Sequence, residues 1–167
     1  MAIVNLLRTL RHHTASTLLL LLVALLAGCS GGGDSAEPPL AIEDFRGYTV
    51  FVNYWAEWCQ PCREEIPDLN AFQQRHPDTV RVVGVNFDRV SGEALAAQEQ
   101  ALGVEFPTLG VDPRSQFGLP VPLGLPETFV IDNEGNLLDV LQGLQSVETL
   151  EAALEMAQIQ VSEEEGS

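Results

Sequence analysis

Apolar and polar residues follow two rhythms along this chain, and the rhythms divide it into strands and helices. Tyr48 to Trp55 (YTVFVNYW) is rich in β-branched and aromatic residues and carries no charge, the pattern of a buried central strand. From Cys59 to Arg75 the spacing becomes helical, with Ile66, Leu69 and Phe72 recurring every third residue. Pro67 falls inside that stretch and is expected to kink it, because it has no backbone N–H to donate. Thr79 to Phe87 (TVRVVGVNF) predicts a second strand. Ser91 is a candidate N-cap for a helix reaching about Leu102, with Gly103 to end it. Asp112 to Pro126 holds prolines at 113, 120, 122 and 126 and reads as an irregular loop. Thr128 to Asp132 and Asn136 to Leu141 flank Asn133-Glu134-Gly135, a turn signal that joins them as a hairpin. A closing helix starts at Ser146 and runs to about Ile159, and residues 161–167 read as a frayed acidic tail.

The order strand, helix, strand, helix, strand, strand, helix implies an α/β fold. Its sheet is mixed, with a parallel core and a C-terminal antiparallel hairpin, and helices flank it. Residues 40–160 make up this one domain, in keeping with a length of 167 residues. The chain shows no internal repeat, no Gly-rich phosphate loop and no helix spaced for metal ligands.

A different pattern precedes the domain. Arg8 and Arg11 lie in a segment without acid, and Thr14 to Ala27 is then uncharged and dominated by Leu18 to Leu26. That run is short of the ~20 apolar residues a bilayer span needs. It therefore predicts a secretory signal peptide over residues 1–28, with a transmembrane anchor as the alternative. Leu26-Ala27-Gly28-Cys29 resembles the lipobox of bacterial lipoproteins, which implies cleavage before Cys29 and lipidation of that cysteine. After Cys29, residues 30–39 (SGGGDSAEPP) read as a tether of roughly 17 Å average reach. The expected location is the periplasmic face of a bacterial membrane. Ser30 stands where an Asp marks inner-membrane retention in enteric bacteria, so the same resemblance favours the outer membrane.

Charge narrows the partners. Twenty-four acidic residues face eight basic ones, all of them Arg, for a formal net charge of −16. Nucleic acid and anionic lipid surfaces both require a basic footprint, so neither is an expected partner, and membrane attachment is expected through the lipid alone. Three cysteines are too few for a disulfide scaffold or a four-Cys zinc site.

Two of those cysteines carry the chemistry. Trp58-Cys59-Gln60-Pro61-Cys62 stands where the first strand turns into the first helix. Cysteines two residues apart can close a small disulfide ring at a helix N-terminus, where backbone N–H groups and the helix dipole stabilise a thiolate. Pro61 is tolerated in the first turn, since its missing N–H would be unpaired anyway. Such a thiolate attacks a partner disulfide through a mixed disulfide, which the second thiol resolves. Cys59, nearer the helix start, is the expected nucleophile, and Cys62 the resolving thiol. A zinc half-site would need further ligands, and only His76 is available outside the leader. A purely structural disulfide would join segments distant in sequence. No cofactor or metal is expected.

The run Val52-Asn53-Tyr54-Trp55-Ala56-Glu57-Trp58-Cys59-Gln60-Pro61-Cys62, followed by Glu65-Ile66-Pro67, resembles the TlpA/ResA type of membrane-anchored, thioredoxin-like disulfide oxidoreductase. Pro126-Glu127-Thr128-Phe129-Val130-Ile131-Asp132 with Gly135 is similar to that family's later motif. The resemblance implies a thioredoxin-like fold and protein thiol or disulfide substrates. It also implies an upstream membrane electron donor and a reducing role, as in cytochrome c maturation or thiol maintenance. By the same resemblance Pro126 is a cis proline facing the active site. Leu125 then offers its backbone to an extended substrate, beside Trp58.

The chain departs from the family in three places. The family opens with a β-hairpin, for which only Leu40 to Gly47 is available. Asn53 occupies the position of the buried Asp of thioredoxin proper and cannot take a proton. Glu127 replaces a small hydroxyl residue and is expected to bring a negative charge near the site mouth. Cys62 must nevertheless lose a proton, and Glu65, three residues on along the same helix face, is the expected proton carrier. The alternative is that Glu65 is only a solvated helix residue. Two other functions of similar fold remain in view. A thiol peroxidase would place Thr before a lone Cys; a copper-delivery protein would need a wider Cys spacing and a His beyond His76.

Overall fold

The computed structural model describes residues 38–165. The expected leader, the expected lipidation site Cys29 and most of the expected tether lie outside the described residues.

Strand β1 (Thr49–Trp55) is the second strand of a four-stranded sheet. It pairs in parallel with β2 (Val80–Asn86) and antiparallel with β3 (Glu127–Ile131), and β4 (Leu137–Gln142) closes the far edge antiparallel to β3. The predicted mixed sheet is therefore present, with β3 lying between β1 and β4. Side chains of β1 alternate between two cores, as the period of a strand requires. Phe51 joins Ile66, Leu69 and Phe72 on one face, whereas Val50, Val52 and Tyr54 join Phe129 and Ile131 on the other. Asn53, two residues from Phe51, is thereby placed on the face that the helices cover.

Helix α1 (Gln60–Arg75) buries Cys62, Glu65, Ile66, Leu69 and Phe72, one stripe at three- and four-residue spacing. Phe51 and Phe72 meet edge to face with centroids 4.8 Å apart. Pro67 lies on the exposed side of α1, where the Arg63 carbonyl that loses its partner can be hydrated. The helical assignment runs unbroken through it. Helix α2 (Gly92–Leu102) has the predicted bounds, and Gly103 ends it in the left-handed conformation at φ 70°. Ser91 is its N-cap residue but makes no side-chain cap hydrogen bond.

Two segments differ from expectation. Leu40 to Gly47 forms a short 3-10 helix (Ile42–Phe45) with no strand, and Leu40, Ile42 and Phe45 seal the Tyr54 face of the sheet. Helix α3 (Val147–Glu165) starts after a reciprocal Ser146–Thr149 cap and passes Ile159 without a break. Residues 161–165, expected to belong to an acidic tail, continue the helix, since nothing between 159 and 165 is a helix breaker. Leu150, Leu154 and Ala157 of α3 complete the core over α1. Among the described residues no helix is long and apolar enough to cross a membrane.

Candidate active site

Strand β1 delivers the chain to the N-terminus of α1, and there the two cysteines form a disulfide with an S–S distance of 2.04 Å. Cys59 is the N-cap residue, in extended conformation, and Cys62 lies inside the first turn. The Cys62 backbone N–H donates to Cys59 Sγ at 3.2 Å. One of the helix's otherwise unpaired donors is thus spent on the sulfur that a reducing agent would turn into a thiolate. Cys59 is 4% exposed and Cys62 fully buried, so of the two cysteines only the first has any surface through which an incoming disulfide could approach. Pro61 occupies the first turn without disturbing it.

The walls of the site come from three further segments. Trp58 is 64% exposed beside Cys59; its indole N–H donates to Asp88 at 2.9 Å and its ring meets the Phe87 ring edge-on at 6.3 Å. The Leu125–Pro126 peptide bond is cis. Leu125 packs against the cluster of Trp55, Ala56, Cys59 and Cys62. Trp58 and Leu125 thus flank the cysteine pair, and the cis Pro126 directly follows Leu125.

Glu65 stands one turn below Cys62 on α1 and is fully buried, which excludes the solvated alternative. The Asn53 side-chain amide donates to one carboxylate oxygen at 2.6 Å, and the Gln145 backbone N–H to the other at 2.9 Å. Burial pushes the carboxyl up to about 7, because desolvation outweighs these two hydrogen bonds, and the nearby Asp68 charge adds to the rise. Asn53 also donates to the Thr128 hydroxyl at 3.0 Å, its cross-strand neighbour in the β1–β3 register. Its Oδ1 has no partner among the described residues. Glu64, the next residue along, is exposed and accepts from Gln60.

Glu127 corrects the sequence expectation. It follows the cis proline, yet it is buried and ion-paired with Arg114, and it also accepts from Gln142. The negative charge foreseen at the mouth is neutralised inside the protein. Sequence reading had no signal for Arg114, which lies in the proline-rich loop without periodicity, nor for Gln145, which acts through its backbone. Among the described residues no group of three or more His, Cys, Asp or Glu side chains is arranged to hold a metal.

A sequence model described as the AhpC/TSA family matches residues 33–140, more than half of the chain. Thiol:disulfide interchange protein HelX of Rhodobacter capsulatus is 37% identical over 110 residues, 65% of this chain and 60% of HelX. Thiol-disulfide oxidoreductase ResA of Geobacillus kaustophilus is 31% identical over 118 residues, 68% of this chain and 66% of ResA. The chain thus spans less than two thirds of the length of these two relatives. Among solved structures, a thiol:disulfide interchange protein of the thioredoxin family from Chlorobium tepidum is 28% identical at a TM-score of 0.55. That match covers 69% of this chain and 83% of the other. A thioredoxin-related protein of Neisseria meningitidis serogroup B superposes at a TM-score of 0.59 with 23% identity, covering 72% and 92% of the two chains, and bears on the fold alone. The fold is thioredoxin-like, as the resemblance implied.

Proposed function

This chain belongs to the AhpC/TSA family, and from that premise we propose that it is an extracytoplasmic thiol–disulfide oxidoreductase that reduces protein disulfides. One observation carries the reading: Cys59 and the more deeply buried Cys62 share a disulfide at the start of α1, with Leu125, the residue before the cis proline, packed against them. In the reduced protein the Cys59 thiolate attacks one sulfur of a substrate disulfide and releases the other as a thiolate. Cys62 then gives its proton to Glu65 and attacks Cys59, which frees the second substrate thiol and closes the Cys59–Cys62 disulfide. Two electrons pass from the dithiol to the substrate, and a membrane electron donor restores the dithiol.

The leader pattern and the lipobox-like Cys29 support anchoring of the domain by lipid to the periplasmic face of a bacterial membrane, with Ser30 favouring the outer one. Cytochrome c maturation or maintenance of selected thiols is the matching physiological setting. The test is reduction of insulin disulfides by the full chain with dithiothreitol as electron source. The wild type accelerates it and Cys59→Ser does not; equal rates with and without the protein would refute the reading.

A further inference from the structure

The buried Arg114 is unused by the chemistry above, yet it is the most connected side chain near the site. It belongs to a 3-10 helix (Pro113–Phe117) whose N-cap, Asp112, accepts from the Arg114 backbone N–H at 2.9 Å and from the Tyr54 hydroxyl at 2.7 Å. Its guanidinium lies over the Tyr54 ring at 4.3 Å and the Phe129 ring at 4.8 Å. From there the planar fork reaches in two directions. Nη1 donates to the Pro120 carbonyl at 2.6 Å, and Nη2 pairs with the Glu127 carboxylate.

Pro120 and Glu127 bracket the segment 121–126, which carries Leu125 and the cis proline. Val121 to Leu125 makes no hydrogen bond to any described residue, and Pro126 is tied back only by its carbonyl, which accepts from Gly143 at 2.9 Å. The strip therefore presents unpaired peptide groups next to the disulfide, with Val121 and Leu123 exposed. Open grooves flank it, one lined by Tyr54, Phe87 and Leu119, the other by Leu123, Val140 and Gln142. An extended polypeptide pairs its backbone with such a strip and sends alternate side chains to either side. A small disulfide without a peptide backbone has no use for it.

We propose that Arg114 is a positioning residue for polypeptide substrates: by holding both ends of the 120–127 loop it sets the line of peptide groups on which a substrate segment docks beside Cys59. The inference rests on the oxidoreductase reading. It explains why an Arg stands here, since a buried ion pair adds little net stability, and the rigid planar fork aims separate nitrogens at a carboxylate and a carbonyl in fixed directions.

The experiment uses the full chain, reduced beforehand, in single turnovers against insulin and against Ellman's reagent. Arg114→Gln with Glu127→Gln removes both charges together and strands neither. It should raise the half-saturating insulin concentration about tenfold, as expected on losing backbone hydrogen bonds from the docked segment. The limiting rate, the rate with Ellman's reagent and the Cys59/Cys62 reduction potential should stay within about twofold, because Arg114 touches neither sulfur. Arg114→Lys keeps a charge for Glu127 but loses the rigid fork that aims a second nitrogen at Pro120, so it should shift insulin binding in the same direction. Wild-type insulin kinetics in Arg114→Lys, or equal losses toward insulin and Ellman's reagent in either variant, would overturn the inference. Should the double variant fail to fold, Arg114→Lys decides alone. A wild type inert toward both substrates would defeat the oxidoreductase reading, and this inference with it.

Discussion

The side-chain amide of Asn53 in β1 donates to the Glu65 carboxylate of α1 at 2.6 Å, and both residues are fully buried. Asn53 stands where thioredoxin proper has an ionisable Asp, so strand and helix have exchanged roles here. The strand supplies a neutral donor and the helix supplies the acid. Because burial holds Glu65 at about 7, the pair can take up and release a proton in the neutral range without a titratable group on the strand.

The first prediction concerns the thiols. The Glu65 charge disfavours a Cys62 thiolate one turn away, and the two groups should titrate as a coupled pair. Glu65→Gln should lower the alkylation midpoint of Cys62 and slow mixed-disulfide resolution near pH 7 by about tenfold or more. Glu64→Gln, altering an exposed side chain, should change neither. Alkylation rates across pH and stopped-flow resolution kinetics check both.

A second prediction follows from linkage. The folded-state value of Glu65 lies above its unfolded value, near 4.5. The unfolded chain therefore gives up this proton first as pH rises, and stability falls between about 4.5 and 7. Glu65→Gln removes that slope. Urea unfolding of the oxidised protein should show the variant gaining on wild type by roughly 3 kcal/mol between pH 4 and pH 8. A constant difference across that range would contradict the assignment.

Most of the fold was legible because its strands are apolar on both faces and its turns carry their own signals. Asp132, for example, accepts from the Glu134 and Asn136 backbone N–H groups and so builds the turn that Asn133-Glu134-Gly135 announced. The disulfide and its helix could be read from spacing alone. The burial of Glu65 could not, because spacing puts it on the Cys62 face but the Asn53 and Gln145 groups that meet it come from segments distant in sequence. Arg114 and Glu127 are thirteen residues apart across a proline-rich loop, and no local pattern joins them. The end of α3 was missed because acidic residues are equally at home in a tail and on a solvated helix face.

The Arg114–Glu127 pair gives a third prediction. Arg114→Met alone leaves a buried carboxylate without its partner and should cost about 3 kcal/mol or more of stability in urea unfolding. Adding Glu127→Gln should restore most of that loss, since no charge then remains to be stranded. Additive effects of the two changes would show that the pair is not coupled.

The fourth prediction tests the anchor. Cys29→Ser should shift the protein from the membrane fraction to the soluble fraction while insulin reduction per molecule stays unchanged, because the Cys59–Cys62 disulfide and the cluster it packs in are formed by described residues. Retention of the variant in membranes would point instead to an uncleaved hydrophobic segment.

The division of labour between the two sulfurs is the center of the account, and trapping tests it most directly. Reduced Cys62→Ser, mixed with a disulfide-bonded protein substrate, should accumulate a mixed disulfide on Cys59 that mass spectrometry of the peptide containing residues 59–62 can locate. Cys59→Ser should trap nothing, because the Cys62 sulfur is buried and out of reach of an incoming disulfide. Equal trapping by the two variants, or none by Cys62→Ser, would contradict the assignment of Cys59 as the attacking thiol.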